Sequence, residues 1–226
     1  MEAADYLKTF KQGPRIVIPG NHDVPLYRIF ERIFNPYGLY KKYINPELDF
    51  VVKLEGATFV GLNSTAPLQK TVNGVITDKQ LDFCKTHFER AQENTLKVVV
   101  LHHHLVPTPD FEQSAYVPDA RRILSRFSQL GVQLVLAGHA HRGYVGSSLD
   151  AYHSRESQKE VVIVQCGTST SRRGRGRDRD KNTFNIIEVQ EQTIKVLRYL
   201  YIESEKAFML SAEYRFPRPG QPYLAA

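Results

Sequence analysis

Short apolar runs alternate along the chain with segments of helical period. Arg15-Ile16-Val17-Ile18, Lys97 to Leu101, Val132 to Ala137 and Val161 to Gln165 are nearly unbroken apolar stretches, the pattern of strands buried on both faces. Phe50 to Leu54 and Thr58 to Leu62 read as a hairpin turning at Glu55-Gly56, and Phe184 to Val189 and Ile194 to Leu200 as two later strands. Residues 2–10 form an amphipathic helix with Ala3, Leu7 and Phe10 on one face, stopped by Gly13-Pro14. Residues 26–48, rich in aromatics and broken by Pro36, Gly38 and Pro46, read as helix and loop. Thr77-x-x-Gln80 is a capping-box pattern opening a helix whose buried stripe is Leu81, Cys84 and Phe88. A second helix starts near Pro118, buries Ile123, Phe127 and Leu130, and ends at Gly131. Residues 217–226, rich in Pro and Gly, are expected to be a loose tail. The alternation of strands and helices predicts an α/β fold, with residues 1–226 as a single domain.

Composition adds limits. A chain of 226 residues with 42% hydrophobic and 24% charged residues is ordinary for a globular domain. No stretch approaches the roughly 18 unbroken apolar residues of a membrane helix, so no membrane partner is expected. The start, Met1-Glu2-Ala3-Ala4-Asp5, has neither a basic segment nor an apolar core of the secretory type, and a cytoplasmic location is the expectation. Cys84 and Cys166 both sit in apolar runs and read as reduced core thiols. The net charge of +6 suits an anionic ligand, and much of the excess lies in Arg172-Arg173-Gly174-Arg175-Gly176-Arg177-Asp178-Arg179. Such a run is a solvated loop, a phosphate-facing loop or a nucleic-acid arm, the last being the least expected.

Candidate chemistry is concentrated at the C-terminal ends of three predicted strands: Gly20-Asn21-His22-Asp23, His102-His103-His104, and Gly138-His139-Ala140-His141-Arg142. Six of the eight histidines lie in these clusters. Strand C-termini are where layered α/β folds bind ligands, and neutral imidazole is the commonest metal ligand. His139 and His141, two apart, point to one side if the chain there is extended. The amide oxygen of Asn21 is a hard, neutral ligand for a divalent ion. In a strand His102 and His104 share a face and His103 points away, which leaves open which of the three would be ligands.

In this order and at these distances, the three clusters resemble motifs three, four and five of the calcineurin-like metallophosphoesterase family. Val60-Gly61-Leu62-Asn63-Ser64-Thr65 and Cys166-Gly167-Thr168-Ser169-Thr170-Ser171-Arg172-Arg173 look like a bacterial branch of it, similar to cyclic-nucleotide phosphodiesterase-type members. The likeness covers about residues 14–200. It implies a layered α-β-β-α sandwich and a centre of two divalent or trivalent ions (manganese, iron or zinc) that delivers a metal-bound hydroxide to a phosphate ester, most readily a phosphodiester. By resemblance, Asn21, His102 and His139 would hold the second ion and His141 the first. His22 would protonate the leaving oxygen or stabilise the phosphoryl group, with Asp23 orienting it; His103 and Arg142 would contact the substrate, a small phosphate ester.

The family's first two motifs, Asp-x-His and Gly-Asp, occur nowhere in the sequence. The resemblance therefore predicts an N-terminally truncated fold, lacking the carboxylate that bridges both ions. The expected consequences are weakened metal affinity and an unprotected flank beside the Arg15–Ile18 strand. The alternative function is a catalytically inactive fragment, a binding module that keeps only part of the metal site.

Overall fold

A computed structural model describes residues 2–11, 13–69, 73–107, 117–152 and 159–220. Three N-terminal helices, α1 (Glu2–Thr9), α2 (Ile29–Phe34) and α3 (Gly38–Tyr43), precede a six-stranded mixed sheet. Its strands are β1 (Phe50–Leu54), β2 (Ala57–Leu62), β3 (Leu96–Leu101), β4 (Leu134–Ala137), β5 (Tyr144–Ser147) and β6 (Val162–Gln165), in the order β1-β2-β3-β4-β6-β5. The four central strands are mutually parallel, and the edges β1 and β5 are antiparallel. Helix α4 (Asp78–Glu89) joins β2 to β3, α5 (Ala120–Gln129) lies between β3 and β4, and the short α6 (Ser148–Ala151) follows β5. A second sheet of three antiparallel strands, β7 (Thr183–Val189), β8 (Thr193–Ile202) and β9 (Ala207–Pro217), completes the fold.

Two apolar layers hold these elements together. On one face of the large sheet, Val60, Leu62, Val99, Leu101, Val135 and Ile163 meet Leu81, Cys84 and Phe88 of α4 and Ile123, Leu124 and Phe127 of α5. On the other face, Val98, Leu134, Val162 and Val164 meet Ile194 and Val196 of β8. The alternation of inward residues along β3 and β4 feeds both layers. Among the described residues the layers therefore run helix, sheet, sheet, a mixed α/β architecture as the sequence pattern predicts. No described helix is long and apolar enough to cross a membrane.

The Thr77–Gln80 capping box forms as predicted: Gln80 N donates to Thr77 Oγ1 at 3.3 Å and Thr77 N to Gln80 Oε1 at 2.9 Å. Gln80 Nε2 also donates to Asn63 O (2.8 Å) and to Asp49 Oδ1 (2.9 Å), so the start of α4 anchors the loop after β2. Helix α5 starts at Ala120, near Pro118 as expected, just after Asp119 in a left-handed conformation (φ 57°), and the expected stop occurs at Gly131 (φ 72°). Arg15–Ile18 forms no ladder, since no described strand runs beside it; Val17 O instead accepts from the Tyr40 hydroxyl at 2.6 Å. Strands β5 and β9 were not predicted. Residues 217–220 are tied down: Arg218 N donates to Gln192 O at 2.7 Å and Gln133 Nε2 to Pro219 O at 2.5 Å. Residues 221–226 lie outside the described residues.

Both cysteines are free thiols, and burial pushes Cys84 up to about 12. Helix α2 turns its aromatics outward, with Phe30 81% and Phe34 79% exposed. An exposed apolar cluster of this kind favours association.

Candidate metal centre

The site forms where β3 and β4 end side by side. Gly138 N donates to His102 O at 3.0 Å, so the ladder continues one step past both strands and sets His102 beside Gly138-His139. His102 Nε2 lies 3.0 Å from Asn21 Oδ1 and 3.1 Å from His139 Nδ1. Asn21 opens a 3-10 turn (Asn21–Asp23) whose preceding residue, Gly20, lies against the His102 ring. A Cβ at Gly20 would stand 2.9 Å from His102 Cε1. One nitrogen each from His102, His103 and His139 lie within 4.8 Å of one another.

These separations suit a metal ion. Ligands at about 2.0–2.1 Å from a tetrahedral zinc stand about 3.3 Å apart, close to the distances that His102 Nε2 keeps from Asn21 Oδ1 and His139 Nδ1. Burial keeps the His102 and His104 imidazoles neutral, the form that ligation requires. It holds His102 at about 2, helped by the neighbouring His103, His139, His141 and His22. Burial, with His139 beside it, holds His104 at about 4. The donor set is nonetheless wholly neutral, and among the described residues no carboxylate joins the group.

The backbone departs from the simple strand picture in two places, and both departures bring rings together. The strand ends at Leu101 and the chain bends at His102 and His103, so the expected alternation does not send His103 away. Ring centroids of His102, His103 and His104 lie 5.0, 4.4 and 5.9 Å from that of His139. His139 and His141 are not extended; both adopt left-handed φ values, 66° and 54°. A tight turn, rather than strand pleating, aims them.

His103 is fully buried, with Nδ1 2.9 Å from Ser64 Oγ, while its own backbone N–H donates to the same hydroxyl at 3.1 Å. Such a partner orients a ligand ring. Ser64 thus sits in the loop that α4 anchors, a supporting role with no signal in the sequence. His141, half-buried, donates from Nδ1 to Arg173 O at 3.0 Å. A carbonyl only accepts, so Nδ1 carries the proton and Nε2 keeps its lone pair. Burial lowers the His141 pKa, opposed by that bond and assisted by Arg175, His22 and Arg173.

The remaining predicted site residues are arranged differently. His22 is exposed at the rim, close enough to influence His102 and His141. Asp23 does not orient it; its Oδ2 accepts from Gly20 N at 2.8 Å, and among the described residues it makes no bond to His22. Adjacent residues of a 3-10 turn project about 120° apart, which separates the two side chains. Arg142 is buried at 3% exposure beneath the arginine-rich segment, where a Cβ at Gly176 would meet its Nη1 at 3.1 Å.

Among solved structures the chain is similar to GAP50, the anchor in the inner membrane complex of Plasmodium, with a TM-score of 0.51 and 13% identity over 78% of this chain. It spans 56% of GAP50's length, and at that identity the likeness shows the fold alone. Vps29 complexed with zinc from Entamoeba histolytica (TM-score 0.30, 12% identity, 70% of this chain and 98% of that one) and Vps29 from Chaetomium thermophilum (TM-score 0.32, 10% identity, 71% and 98%) are more distant. No curated protein matches the sequence. The family profile described as calcineurin-like phosphoesterase matches residues 2–143, more than half of the chain. The chain therefore belongs to the calcineurin-like phosphoesterase family.

Proposed function

We propose that the chain is a metal-dependent hydrolase of phosphate esters, acting on phosphodiesters through a dinuclear centre. The observation that carries this reading is the place of His102 Nε2, 3.0 Å from Asn21 Oδ1 and 3.1 Å from His139 Nδ1. These three residues, with His103 beside them, would hold one ion. His141, presenting Nε2, would contribute to a second, the ions being manganese, iron or zinc. When bound, such ions neutralise phosphoryl charge and acidify water.

The chain's own residues then have separable tasks. Ser64 fixes the His103 ring, and Arg173 O fixes the tautomer of His141. His22, exposed beside both donors, is suited to give a proton to the departing ester oxygen. Asp23 shapes the turn that presents Asn21 and His22.

A second reading is favoured by one observation, the neutrality of the donor set. Without a carboxylate, two cations repel with little compensation. A site of this kind suits a binding module that holds a single ion and performs no hydrolysis.

One experiment separates the two. The purified chain is loaded with manganese or zinc, its metal content is measured, and hydrolysis of bis(p-nitrophenyl) phosphate is followed beside His139→Ala and His22→Ala. Turnover above both variants upholds the hydrolase. A bound ion without turnover selects the binding module, and a chain that takes up no ion sinks both readings.

A further inference from the structure

The arginine-rich segment is not a loose arm. Its backbone clasps His141 from both sides: Arg175 N donates to His141 O at 3.0 Å, and His141 Nδ1 donates to Arg173 O at 3.0 Å. A 3-10 turn, Gly176–Asp178, closes it. Asp178, 2% exposed, pins that turn by accepting from Gly143 N at 2.6 Å and pairing with Arg198 of β8. Gly174 is packed so tightly that a Cβ there would lie 1.8 Å from Asp178 O, a backbone atom that cannot yield. The loop therefore has one shape, and that shape is tied to a candidate ligand.

What the loop displays is positive charge without compensation. Arg172, Arg173 and Arg175 are exposed, and among the described residues no carboxylate pairs with them. The nearby Asp178 is committed to Arg198, and Asp180 faces Arg179 at 3.8 Å. Guanidiniums carried on this held backbone, those of Arg173 and Arg175 close enough to act on His141, match the planar, bidentate recognition of phosphate oxygens. A solvated loop would need neither the clasp on His141 nor the buried anchor.

We propose that residues 172–175 form a subsite for a second phosphate group, so that the substrates are small phosphate esters bearing a further phosphate next to the scissile one. This rests on reading the adjoining histidines as the phosphoester site, and it specifies which esters that site receives. Arg173 and Arg175 are the residues that hold the second phosphate, and Arg172 extends the same rim.

The test is calorimetric titration of the metal-free chain with inorganic pyrophosphate and, separately, inorganic phosphate. Arg173→Gln/Arg175→Gln is compared with Lys85→Gln, an exposed charge change near the far end of α4. The expected result is pyrophosphate binding at least about tenfold tighter than phosphate, reduced about tenfold or more in the double variant and unchanged in Lys85→Gln. Equal affinity for the two anions, or an equal loss per charge removed in the two variants, overturns the proposal by reducing it to net charge. A short single-stranded oligonucleotide is titrated as well. If it binds more tightly than pyrophosphate and depends on the same arginines, the loop is a nucleic-acid contact and the proposal falls. The readout is independent of turnover. Pyrophosphate selectivity without diester hydrolysis would remove the proposed activity and leave the anion subsite standing, whereas hydrolysis without selectivity would do the reverse.

Discussion

Replacing Asp178 probes the joint between the second sheet and the His141 turn. Asp178 is 2% exposed, and the Arg198 side chain that faces it is 12% exposed. In Asp178→Leu, Arg198 keeps its charge and loses its partner, a change that costs about 3–5 kcal/mol when the pair is buried. The Gly143 N–H, which donates to Asp178 at 2.6 Å, is left unsatisfied as well, at about 1–3 kcal/mol. The two losses share one neighbourhood and do not add in full, so the net expectation is about 4 kcal/mol. For a chain of this size that lowers Tm by about 8–16 °C. Out of a total stability of roughly 5–15 kcal/mol, the variant remains foldable in the cold, which makes the measurement possible.

The assay is urea unfolding of four proteins: wild type, Asp178→Leu, Arg198→Met, and the double variant. If the buried pair acts as described, the double variant recovers most of the loss, because neither charge is then stranded. A loss below about 1 kcal/mol in Asp178→Leu would mean that water reaches the pair. A double variant as unstable as the sum of the single ones would mean that the two side chains are not coupled. Either outcome refutes the reasoning.

Three further outcomes follow. The metal-free protein should lose stability as pH falls: His104 has its folded pKa lowered to about 4 from an ordinary 6.5, so the unfolded chain takes the proton first, and stability present above pH 6.5 drains between there and about 4. For His104 alone the loss is about 3 kcal/mol, measured by unfolding at stepped pH; a flat profile would show that the ring is solvated. Gly20→Ala should displace the His102 ring, since the new Cβ would lie 2.9 Å from it while the backbone there (φ −100°, ψ 172°) suits any residue; zinc affinity should fall by about tenfold with a stability change of about 1–3 kcal/mol, and unchanged affinity would show that His102 is not a donor. Phe30→Glu/Phe34→Glu should abolish self-association in sedimentation while shifting stability by less than about 0.5 kcal/mol, because both rings are largely exposed, at 81% and 79%; a large destabilisation would show that they are buried against the fold.

The sequence made the large sheet legible because buried parallel strands are nearly continuous apolar runs, and β2, β3, β4 and β6 are, with Thr58, Lys97 and Gln165 the exceptions. It hid β5 and β9, whose residues face partly outward and carry a mixed pattern: Met209 and Leu210 of β9 are exposed at 49% and 52%. Two of the three polar clusters were recognisable as one site because the ends of the parallel strands β3 and β4 meet at one rim; the third, at residues 20–23, joins them from a segment that forms no ladder. Their inner geometry was not recognisable. Strand alternation assigned His103 to the far face, but the strand had already ended at Leu101, and a bend is not written in a run of three identical residues. Likewise, His139 and His141 carry positive φ values that sequence assigns first to glycine or asparagine. Ser64 and Asp178 act through contacts 39 and 35 residues away in the chain, and no local pattern reports a partner at that range.

Charge balance links the site to its loop. The donors are neutral imidazoles and an amide, and the exposed Arg173 and Arg175, close enough to act on His141, are positive. A cation entering alone gains ligation but meets uncompensated positive charge. A phosphate entering alone meets the guanidiniums but lacks a counter-ion at the histidines. Each partner supplies what the other needs, so their binding must be coupled, and linkage makes the coupling reciprocal. Zinc affinity measured by competition should rise about 5–150-fold when pyrophosphate is bound to the protein, after correction for zinc–pyrophosphate association in solution. In the Arg173→Gln/Arg175→Gln protein the coupling should shrink, since the loop no longer holds the anion beside the ion. Coupling of equal size in both proteins would mean that the ion alone recruits the anion; no coupling in either would mean that the histidines and the loop serve separate ligands.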